Sequence, residues 1–437
     1  MASNKLSAGA RDCHLAAQTM LSGATTIVNS NIPRLVFVVN SWLALTFLKG
    51  QLQYFQSRGF DVTVLCPKRK QDEWDVPELK GVPIIEVDIE RSIAPLRDLV
   101  SLWRLWWIMR SIRPTVTNVG TPKAGLLGGL AAWLNRVPCR YYTLHGLRFE
   151  TTTGLRRRLL IFAERLACRF AHRVICVSRS TREKALASGL TSGERAVVFG
   201  SGSCNGVDCS HFAPTAKKMK QASEMRRHLG IPEDANVVTF VGRMTCDKGI
   251  PELAAAFGQL DRQFPNLWLL LVGCFEDDDP LPVETRRLLH THSRVLFIGP
   301  VQDTAIYYAM SDVLVLPSHR EGLPTVILEA QAAGLPVVGA SATGIVDVVA
   351  DGETGLLFPA GDVPALARAL ARLLTDKQFA AQLGQAGQES VNQRFRQERV
   401  WDAHYREYME LLQAKEPHLS TVSAAGKRRH LMTRSDE

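Results

Sequence analysis

Residues 312–330, "DVLVLPSHREGLPTVILEA", contain a strand pattern, a polar loop and a helix pattern in immediate succession. The opening run "DVLVLPS" is short and apolar, as the buried strands of parallel sheets are. Pro324 suits the first turn of the helix that follows, because proline lacks the N–H that has no partner there. The stretch therefore indicates an α/β fold in which the loop follows the carboxyl end of a parallel strand.

The same alternation occurs in two blocks of the chain. The strand-like runs of the first block are "RLVFVVN", "FDVTVLC", "VPIIEVD", "CRYYTLH" and "RVICVS", and those of the second are "NVVTFVG", "LWLLLVG", "RVLFIG", "DVLVLPS" and "LPVVGA". Strands that alternate with helices predict parallel sheets covered by helices on both faces. We therefore predict two doubly wound, Rossmann-like domains that face a central cleft, where ligands of such folds bind.

The predicted organisation has six parts. A polar stretch with one short helical pattern separates the two blocks, and both ends of the chain lack periodicity. The parts are a flexible N-terminal extension at 1–32, a first domain at 33–212, a linker at 213–235, a second domain at 236–390, a final helix at 391–413 and a disordered tail at 416–437.

Composition and charge limit the class of protein. The 437 residues are 46% hydrophobic, which is enough for two cores, and the net charge of +9 is uneven. Residues 1–215 hold 28 Lys and Arg against 15 Asp and Glu, a net +13, whereas residues 216–437 hold 24 against 28, a net −4. The first half is expected to meet an anionic partner or a membrane surface. Nucleic acid is disfavoured, because no known nucleic-acid-binding module appears.

Cysteine usage and hydropathy indicate where the protein acts. The nine cysteines are scattered, with no CxxC pair and no zinc-ligand spacing, which favours a reducing, cytoplasmic compartment. No run of about 18 apolar residues and no secretory leader pattern is present. We therefore expect neither secretion nor a membrane span.

Glu321 and Glu329 flank the start of the helix that is predicted after Pro324. Glu329 lies about 7.5 Å along the helix axis from Pro324, so the two carboxylates cannot contact the same small group of a ligand. Ionised carboxylates accept hydrogen bonds from hydroxyl groups, while the helix start at Gly322 and Thr325 suits a phosphate. A diphosphate with a polyol on each side, as in a nucleotide sugar, fits this layout. Two unrelated surface glutamates are the alternative.

A second loop strengthens the nucleotide-sugar hypothesis. The segment "VGRMTCDKG" follows the strand-like run "NVVTF" and supplies Arg243 and Lys248, which suit the oxygens of a diphosphate. Alone, such a pair is usually surface charge. With the two glutamates it forms an ordered set in which each member lies just past a strand.

These motifs identify a family. "GRMTCDKG" (242–249), "EGLPTVILEA" (321–330), "AAGLPVVGASATG" (332–344) and "DGETGLLF" (351–358) together resemble the retaining glycosyltransferases of family 4, which have the GT-B fold. In the first half, "TPKAGLLGGLAAWLNRVPCRYYTLHGL" (121–147) and "GSGSCNGVDCSHF" (200–212) resemble the branch that builds bacterial capsule, exopolysaccharide and O-antigen.

The resemblance implies an activity and a location. It implies transfer of a sugar, with retention of configuration, from a nucleotide sugar to a polyprenyl-diphosphate-linked saccharide at the inner face of the cell membrane. We expect a UDP-linked donor, with an N-acetylhexosamine as the candidate sugar, and neither a metal nor another cofactor. The first domain would bind the acceptor and the second the nucleotide sugar, and the final helix would return to the first domain.

The resemblance also assigns roles to individual residues. Arg243 and Lys248 would hold the diphosphate, Glu321 the donor-sugar hydroxyls and Glu329 the ribose, while His145 would reach the donor sugar or the reaction centre. The predicted catalytic residues are Glu321, His145, Arg243 and Lys248, and the predicted donor-binding residues are Glu329, Gly322, Leu323, Pro324, Thr325 and Gly242.

Several features leave alternatives open. The acidic loop "GCFEDDDP" (273–280) could hold Mg²⁺ or Mn²⁺, although a solvated loop is favoured. The exit of the first strand, "NSWLALTF" (40–47), lacks the glycine-rich loop of many relatives. The segments 98–114 and 154–173 fit membrane contact or ordinary packing. For the whole chain, a nucleotide-sugar epimerase and a non-catalytic scaffold remain alternatives to a transferase.

Overall fold

The structure is a computed structural model that describes residues 32–69, 76, 79–90, 94–276 and 279–417. It contains two parallel sheets. The first has seven strands in the order β3-β2-β1-β4-β5-β6-β7. These strands are β1 (Arg34–Val38), β2 (Asp61–Cys66), β3 (Ile84–Glu86), β4 (Val116–Gly120), β5 (Cys139–Leu144), β6 (Arg173–Cys176) and β7 (Ala196–Val197).

Helices cover both faces of the first sheet. Among the residues described in this half, five α-helices are present: α1 (Gln51–Ser57), α2 (Pro95–Ile112), α3 (Pro122–Leu134), α4 (Gly154–Phe170) and α5 (Arg179–Ala187). One core lies between the sheet and α2, α3 and α4, and the other lies on the face covered by α1. Two 3₁₀ helices, Trp42–Leu48 and Arg148–Thr151, follow the ends of β1 and β5.

The second sheet has six strands in the order β10-β9-β8-β11-β12-β13. They are β8 (Asn236–Val241), β9 (Leu267–Val272), β10 (Val295–Gly299), β11 (Val313–Leu316), β12 (Val337–Ala340) and β13 (Leu356–Phe358). The other helices are α6 (Cys209–Phe212), α7 (Ala216–His228), α8 (Ile250–Leu260), α9 (Val283–Thr291), α10 (Ala305–Ala309), α11 (Thr325–Ala332), α12 (Val363–Thr375), α13 (Lys377–Arg394) and α14 (Gln397–Lys415). A 3₁₀ helix spans Cys246–Lys248.

The strand orders explain where a ligand can bind. In each sheet the chain returns to the middle to add a neighbour on the other side, between β1 and β4 in the first sheet and between β8 and β11 in the second. Loops that leave the carboxyl ends of such strands diverge and leave a crevice. The predicted α/β fold of two Rossmann-like domains is confirmed.

The segment between the two blocks is more than a connector. Residues 213–235 contain α7, and Ala222, Ile231 and Ala235 are buried in the core of the second domain. The expected extension at 1–32 and tail at 416–437 lie almost entirely outside the described residues. The final helix α14 packs on the first domain, because Tyr408 and Leu412 belong to the core on the α1 face.

The sequence patterns missed β4, β7 and β13. The pattern of β4 is interrupted by Thr117 and Asn118, which are polar and yet buried. Asn118 is satisfied on both sides, since its Oδ1 accepts from the Thr143 hydroxyl at 2.7 Å and its Nδ2 donates to the Tyr408 hydroxyl at 2.6 Å. Buried polar groups need such partners, and these two lie far away in the sequence.

Helix α4 lies in the segment 154–173, for which membrane contact and ordinary packing were both open. Packing of an ordinary amphipathic helix would turn Leu159 towards the sheet, but its side chain is exposed. The buried positions are Glu164, Ala167 and Cys168. The carboxylate of Glu164 accepts a hydrogen bond of 2.6 Å from the Tyr142 hydroxyl, which allows a glutamate to face the core.

Tyr408 attaches the final helix to the first domain, and its truncation is predicted to be costly. The ring lies 5.4 Å from that of Phe55 and 4.7 Å from that of Tyr141, measured between centroids, and is fully buried. We expect Tyr408→Ala to lower the free energy of unfolding by about 3–5 kcal/mol, as for other large aromatic truncations. Tyr408→Phe, which removes only the hydroxyl, should lower it by about 1 kcal/mol. Urea unfolding followed by tryptophan fluorescence measures both, and a loss below about 1 kcal/mol in Tyr408→Ala would contradict this packing.

Candidate active site

The two domains meet backbone to backbone at the carboxyl ends of β5 and β11. A Cβ atom added to Gly322 would lie 1.8 Å from the carbonyl oxygen of His145, and one added to Gly146 would lie 3.4 Å from the nitrogen of Gly322. No side chain fits at Gly322 without separating the domains. The structure therefore brings His145 of the first domain against the loop that carries Glu321.

Lys248 and Glu321 form an ion pair that joins the loop after β8 to the loop after β11. The Lys248 Nζ lies 2.5 Å from Oε1 of Glu321, and the two side chains are 15% and 14% exposed. The lysine loop is held in place by Gly249, whose φ is 73° and whose Cβ would lie 2.2 Å from the carbonyl oxygen of Pro317. A residue with a side chain would be strained there in both respects. These contacts bring two of the predicted catalytic residues together.

Arg243 is paired with the acidic loop. Its Nη1 lies 2.6 Å from Oε2 of Glu276. Burial lowers the pKa of Arg243, but the hydrogen bond and charge of Glu276, with the nearby charges of Asp247 and Glu321, raise it overall. Arg243 therefore remains a cation close to Glu321.

We expected the acidic loop to be solvated, but two of its carboxylates contact the protein. Glu276 contacts Arg243, and Oδ2 of Asp279 accepts from the backbone N–H of Asp247 at 2.8 Å. The two central aspartates, Asp277 and Asp278, lie outside the described residues. Within the described ranges, no three His, Cys, Asp or Glu side chains are grouped as metal ligands would be. That the protein uses no metal stays a prediction.

Asp247 and Arg320 form a second ion pair that sequence reasoning missed. Oδ2 of Asp247 lies 2.6 Å from Nη2 of Arg320, and Oδ1 accepts from the Thr245 hydroxyl at 2.5 Å. Burial alone would raise the pKa of Asp247, but the Thr245 hydroxyl and the charge of Arg320 lower it below its usual value. Nε of Arg320 donates to the Thr151 hydroxyl at 2.9 Å, in the other domain. Both residues lie within the stretches quoted above, at 242–249 and 312–330, and this position was the sequence signal that could have identified them as site residues.

Glu329 lies in its own polar environment on α11. Its Oε2 accepts from the hydroxyl of Tyr308 at 2.7 Å and from that of Thr304 at 3.1 Å. Burial raises the pKa of Glu329 to about 7, although both hydrogen bonds oppose that shift. This carboxylate therefore titrates near neutral pH.

The start of α11 is one residue later than expected. The helix begins at Thr325 with Pro324 as its N-cap residue, and among the described residues no side chain caps it. Leu323 packs on the core of the second domain. Gly242 follows β8 with a φ of 151°, and its carbonyl oxygen would lie 1.9 Å from a Cβ on Gly273. The loops after β8 and β9 thus pack side by side.

The ring of His145 lies between Phe47, which follows β1, and Gly120, the last residue of β4. The ring stacks on Phe47 with 5.8 Å between centroids, and Phe47 belongs to the 3₁₀ helix Trp42–Leu48 that follows β1. A Cβ on Gly120 would lie 2.8 Å from Nε2 of His145. Burial lowers the pKa of His145 to about 4, so the imidazole is neutral at pH 7. Its predicted contact with the donor sugar stays a prediction.

Further contacts join the two domains beside the glycines. The carboxylate of Asp347 accepts from the backbone N–H groups of Arg179 at 2.9 Å and Ser180 at 3.2 Å, so it caps α5 from the other domain. The hydroxyl of Thr343 donates to Oε1 of Glu150 at 2.8 Å. The partners in these contacts are more than 160 residues apart in sequence. Sequence reasoning missed them, although Thr343 lies in a quoted motif.

Two family descriptions match the chain, one on each domain. Residues 46–202 match the "Glycosyl transferase 4-like domain" and residues 221–390 match "Glycosyl transferases group 1". These ranges include every predicted site residue. Among the described helices, none has the length and apolar character needed to cross a bilayer.

Named relatives and solved structures agree with these matches. The capsular polysaccharide biosynthesis glycosyltransferase CapM of Staphylococcus aureus is 31% identical over 374 residues, which cover 86% of this chain and 95% of CapM. The UDP-Gal:alpha-D-GlcNAc-diphosphoundecaprenol alpha-1,3-galactosyltransferase of Escherichia coli is 29% identical over 330 residues, which cover 75% of this chain and 83% of that enzyme. The resemblance to surface-polysaccharide enzymes is thereby confirmed.

The fold itself matches solved structures of low sequence identity. Anabaena Alr3699/HepE in complex with UDP-glucose has a TM-score of 0.72 at 22% identity, over 86% of this chain and 99% of that one. WaaG, a glycosyltransferase involved in lipopolysaccharide biosynthesis, has a TM-score of 0.65 at 17% identity, over 87% and 99%. With both domains matched and CapM covered almost end to end, the chain belongs to the family 4-like, group 1 glycosyltransferases with the GT-B fold.

Proposed function

We propose that this glycosyltransferase acts in surface polysaccharide biosynthesis and transfers a sugar, with retention, from a UDP-sugar to a polyprenyl-diphosphate-linked saccharide. The observation that carries the proposal is the convergence of Arg243, Lys248 and Glu321 beside the start of α11, against His145 of the other domain. The name of the Escherichia coli relative, which contains UDP-Gal and a diphosphoundecaprenol acceptor, supports the donor and acceptor classes. The UDP and UDP-glucose complexes of Anabaena HepE support the uridine nucleotide.

The ion pairs of the site provide a way to receive a diphosphate. Lys248 and Arg243 are held by Glu321 and Glu276, so both cations are already in position. A diphosphate at the start of α11 would attract both cations and the free N–H groups of the helix. The ammonium group of Lys248 would then pair with a phosphate oxygen in place of the Glu321 carboxylate. That exchange frees Glu321 to accept hydroxyl groups of the donor sugar.

The proposed chemistry follows from these charges. As the bond between the anomeric carbon and the phosphate oxygen breaks, negative charge grows on the leaving diphosphate, and Arg243 and Lys248 stabilise it from fixed positions. The acceptor oxygen bonds to the anomeric carbon on the same face, and its proton passes to the departing phosphate oxygen. The neutral His145 serves this reaction as a hydrogen-bonding group and not as a cation. Because two cations and a helix start balance the diphosphate, we propose that no metal is required.

The surface of the first domain supports membrane contact. On α4 the apolar side chains of Leu155, Leu159 and Phe162 are exposed, at 82%, 51% and 61%. Arg156, Arg157 and Arg158 are exposed on the same helix. Helix α2, which flanks α3 on the other side, exposes Leu96, Leu99, Val100, Trp103 and Trp107. Exposed apolar groups interleaved with arginine are typical of surfaces that bind anionic membranes. We propose that this face lies on the membrane that carries the acceptor.

The proposed activity predicts a defined product. Purified protein is incubated with UDP-galactose, UDP-glucose or UDP-N-acetylglucosamine and a polyprenyl-diphosphate-linked saccharide, and mass spectrometry should detect an acceptor that has gained one sugar. We expect Glu321→Gln to reduce transfer by about 100-fold or more while the fold is kept, because the charged partner of Lys248 and of the sugar is lost. The surface variant Glu389→Gln is the matched control and should retain full activity.

Other outcomes of this assay separate the alternatives. Conversion of the UDP-sugar to its epimer with no new glycosidic bond would indicate an epimerase. Binding of UDP-sugar, seen as a thermal shift, with no turnover would indicate a scaffold. Inhibition by EDTA would refute the metal-independent part of the proposal.

The raised pKa of Glu329 predicts a pH-dependent donor affinity. If the ionised carboxylate accepts the ribose hydroxyls, UDP-sugar affinity should rise about tenfold between pH 6 and pH 8 and level off above, because protonation below a pKa of about 7 removes the acceptor. A UDP-sugar is used because it lacks the terminal phosphate that titrates in UDP itself. Calorimetric titration measures the affinity. Glu329→Gln should bind more weakly and lose this dependence, and His211→Gln should keep it. A dependence that survives in Glu329→Gln would contradict the role of Glu329.

The membrane face predicts a lipid-dependent location. Flotation with vesicles of phosphatidylglycerol and phosphatidylcholine should recover most of the protein, and vesicles of phosphatidylcholine alone should recover much less. Changing Leu155, Leu159 and Phe162 together to serine should reduce recovery several-fold, because the apolar contribution is lost. Val283→Ser, at an equally exposed position of the second domain, should have no effect. Equal recovery of the two variants would contradict the proposed face.

A further inference from the structure

We propose that Glu150 binds a hydroxyl group of the acceptor saccharide and orients it for attack. Glu150 was not among the candidate site residues taken from the sequence. The proposal rests on the proposed function in one respect, namely that a saccharide is the acceptor. It specifies which residue of the first domain contacts that acceptor.

The position of Glu150 is fixed by its surroundings. It lies in the 3₁₀ helix Arg148–Thr151, five residues after His145, and its backbone N–H donates to the carbonyl of Leu147 at 3.1 Å. The preceding Phe149 is buried in the core of the first domain. The following Thr151 accepts a hydrogen bond from Arg320 of the second domain. The helix is thus anchored on both sides, and Glu150 lies where the two domains touch.

The carboxylate of Glu150 is only half satisfied. Oε1 accepts a hydrogen bond of 2.8 Å from the hydroxyl of Thr343. Oε2 is buried and has no hydrogen-bond partner among the residues that the structure describes. A buried carboxylate oxygen without a donor is destabilising, because it has lost its water and gained no hydrogen bond in return. We infer that a ligand held between the two domains supplies the missing donor when they close on it.

The neighbours of Glu150 place that ligand near the reaction centre. Thr343, which holds Oε1, accepts a hydrogen bond of 3.0 Å at its carbonyl oxygen from the backbone N–H of Glu321. Glu150 is therefore connected through one residue to the backbone of Glu321, whose carboxylate is proposed to bind the donor sugar. A Cβ on Gly344 would lie 2.5 Å from the carbonyl oxygen of Gly322, so the two loops are in direct contact.

The chemistry of the ligand follows from what a carboxylate can accept. An ionised carboxylate accepts hydrogen bonds and repels phosphate, so the ligand group is a hydroxyl or an amide N–H of a sugar and not the diphosphate. Glu150 belongs to the first domain, whereas Glu321 of the second is proposed for the donor sugar. Glu150 thus meets the second domain from the side of the domain proposed for the acceptor. The carboxylate fixes the direction of the acceptor hydroxyl, and the proton still leaves with the departing phosphate oxygen.

The experiment compares transfer with hydrolysis. In the absence of acceptor, water replaces the acceptor hydroxyl, and release of UDP from the UDP-sugar reports on the donor half alone. For Glu150→Gln we expect kcat/KM for the acceptor to fall about 10- to 100-fold, the range for a lost hydrogen bond to a charged group. UDP release without acceptor and the UDP-sugar thermal shift should stay within about twofold of the wild type. Glu183→Gln, an exposed glutamate of the same domain, is the control and should change neither reaction.

A second variant separates acceptor binding from domain closure. Thr343→Val removes the donor to Oε1 but leaves the Glu150 carboxylate, so it should raise the acceptor KM less than Glu150→Gln does. Equal losses of transfer and hydrolysis in Glu150→Gln would overturn the proposal in favour of a contact that only closes the cleft. Unchanged transfer in Glu150→Gln, with an active wild type, would overturn this proposal alone. Failure of the wild type to transfer at all would overturn the proposed function and this inference with it.

Discussion

The arrangement of the site depends on the contact between Gly322 and the carbonyl of His145. Because Gly322 has no Cβ, the backbones of the two domains can touch. Loops from two separate sheets therefore come within one side-chain length of each other. The hydrogen bonds of Arg320 to Thr151 and of Thr343 to Glu150 exist only at that separation. A larger residue at 322 would move all of these groups apart together, even with each sheet intact.

Charge in the cleft is balanced by internal pairs. Lys248, Arg243 and Arg320 each have a carboxylate partner within 2.6 Å. Partly buried cations without partners would be destabilising, and they would also be free to adopt many rotamers. The carboxylates therefore keep the cations charged and oriented. In the proposed donor complex, phosphate oxygens would replace a carboxylate, so that one set of charge-assisted hydrogen bonds would be exchanged for another with little new ordering.

The sequence predicted the parts of the fold that depend on local pattern. Apolar runs located most strands, and the loops after β8 and β11 carried the motifs by which the family was recognised. It did not predict β4, since the partners that allow Asn118 to be buried are Thr143 and Tyr408, far away in the chain. Helix α4 has apolar residues on more than one side, and periodicity alone does not say which side the sheet covers. The role proposed for Glu150 depends on a contact between domains, which no local pattern contains.

The capping of α5 by Asp347 affects the electrostatics of an open cleft. In the closed arrangement, this carboxylate of the second domain neutralises the helix start at Arg179 and Ser180. Separation of the domains would withdraw it. Ser178 would still accept from the N–H of Thr181, but the N–H groups of Arg179 and Ser180 would lose their acceptor, so the start of α5 would present a larger partial positive charge to the gap. The mouth of the enzyme would thus be most attractive to an anion when it is wide enough to admit one, and closure would end that attraction. The position of the Asp347 carboxylate would in that case distinguish an open form that attracts a phosphorylated substrate from a closed form that retains it.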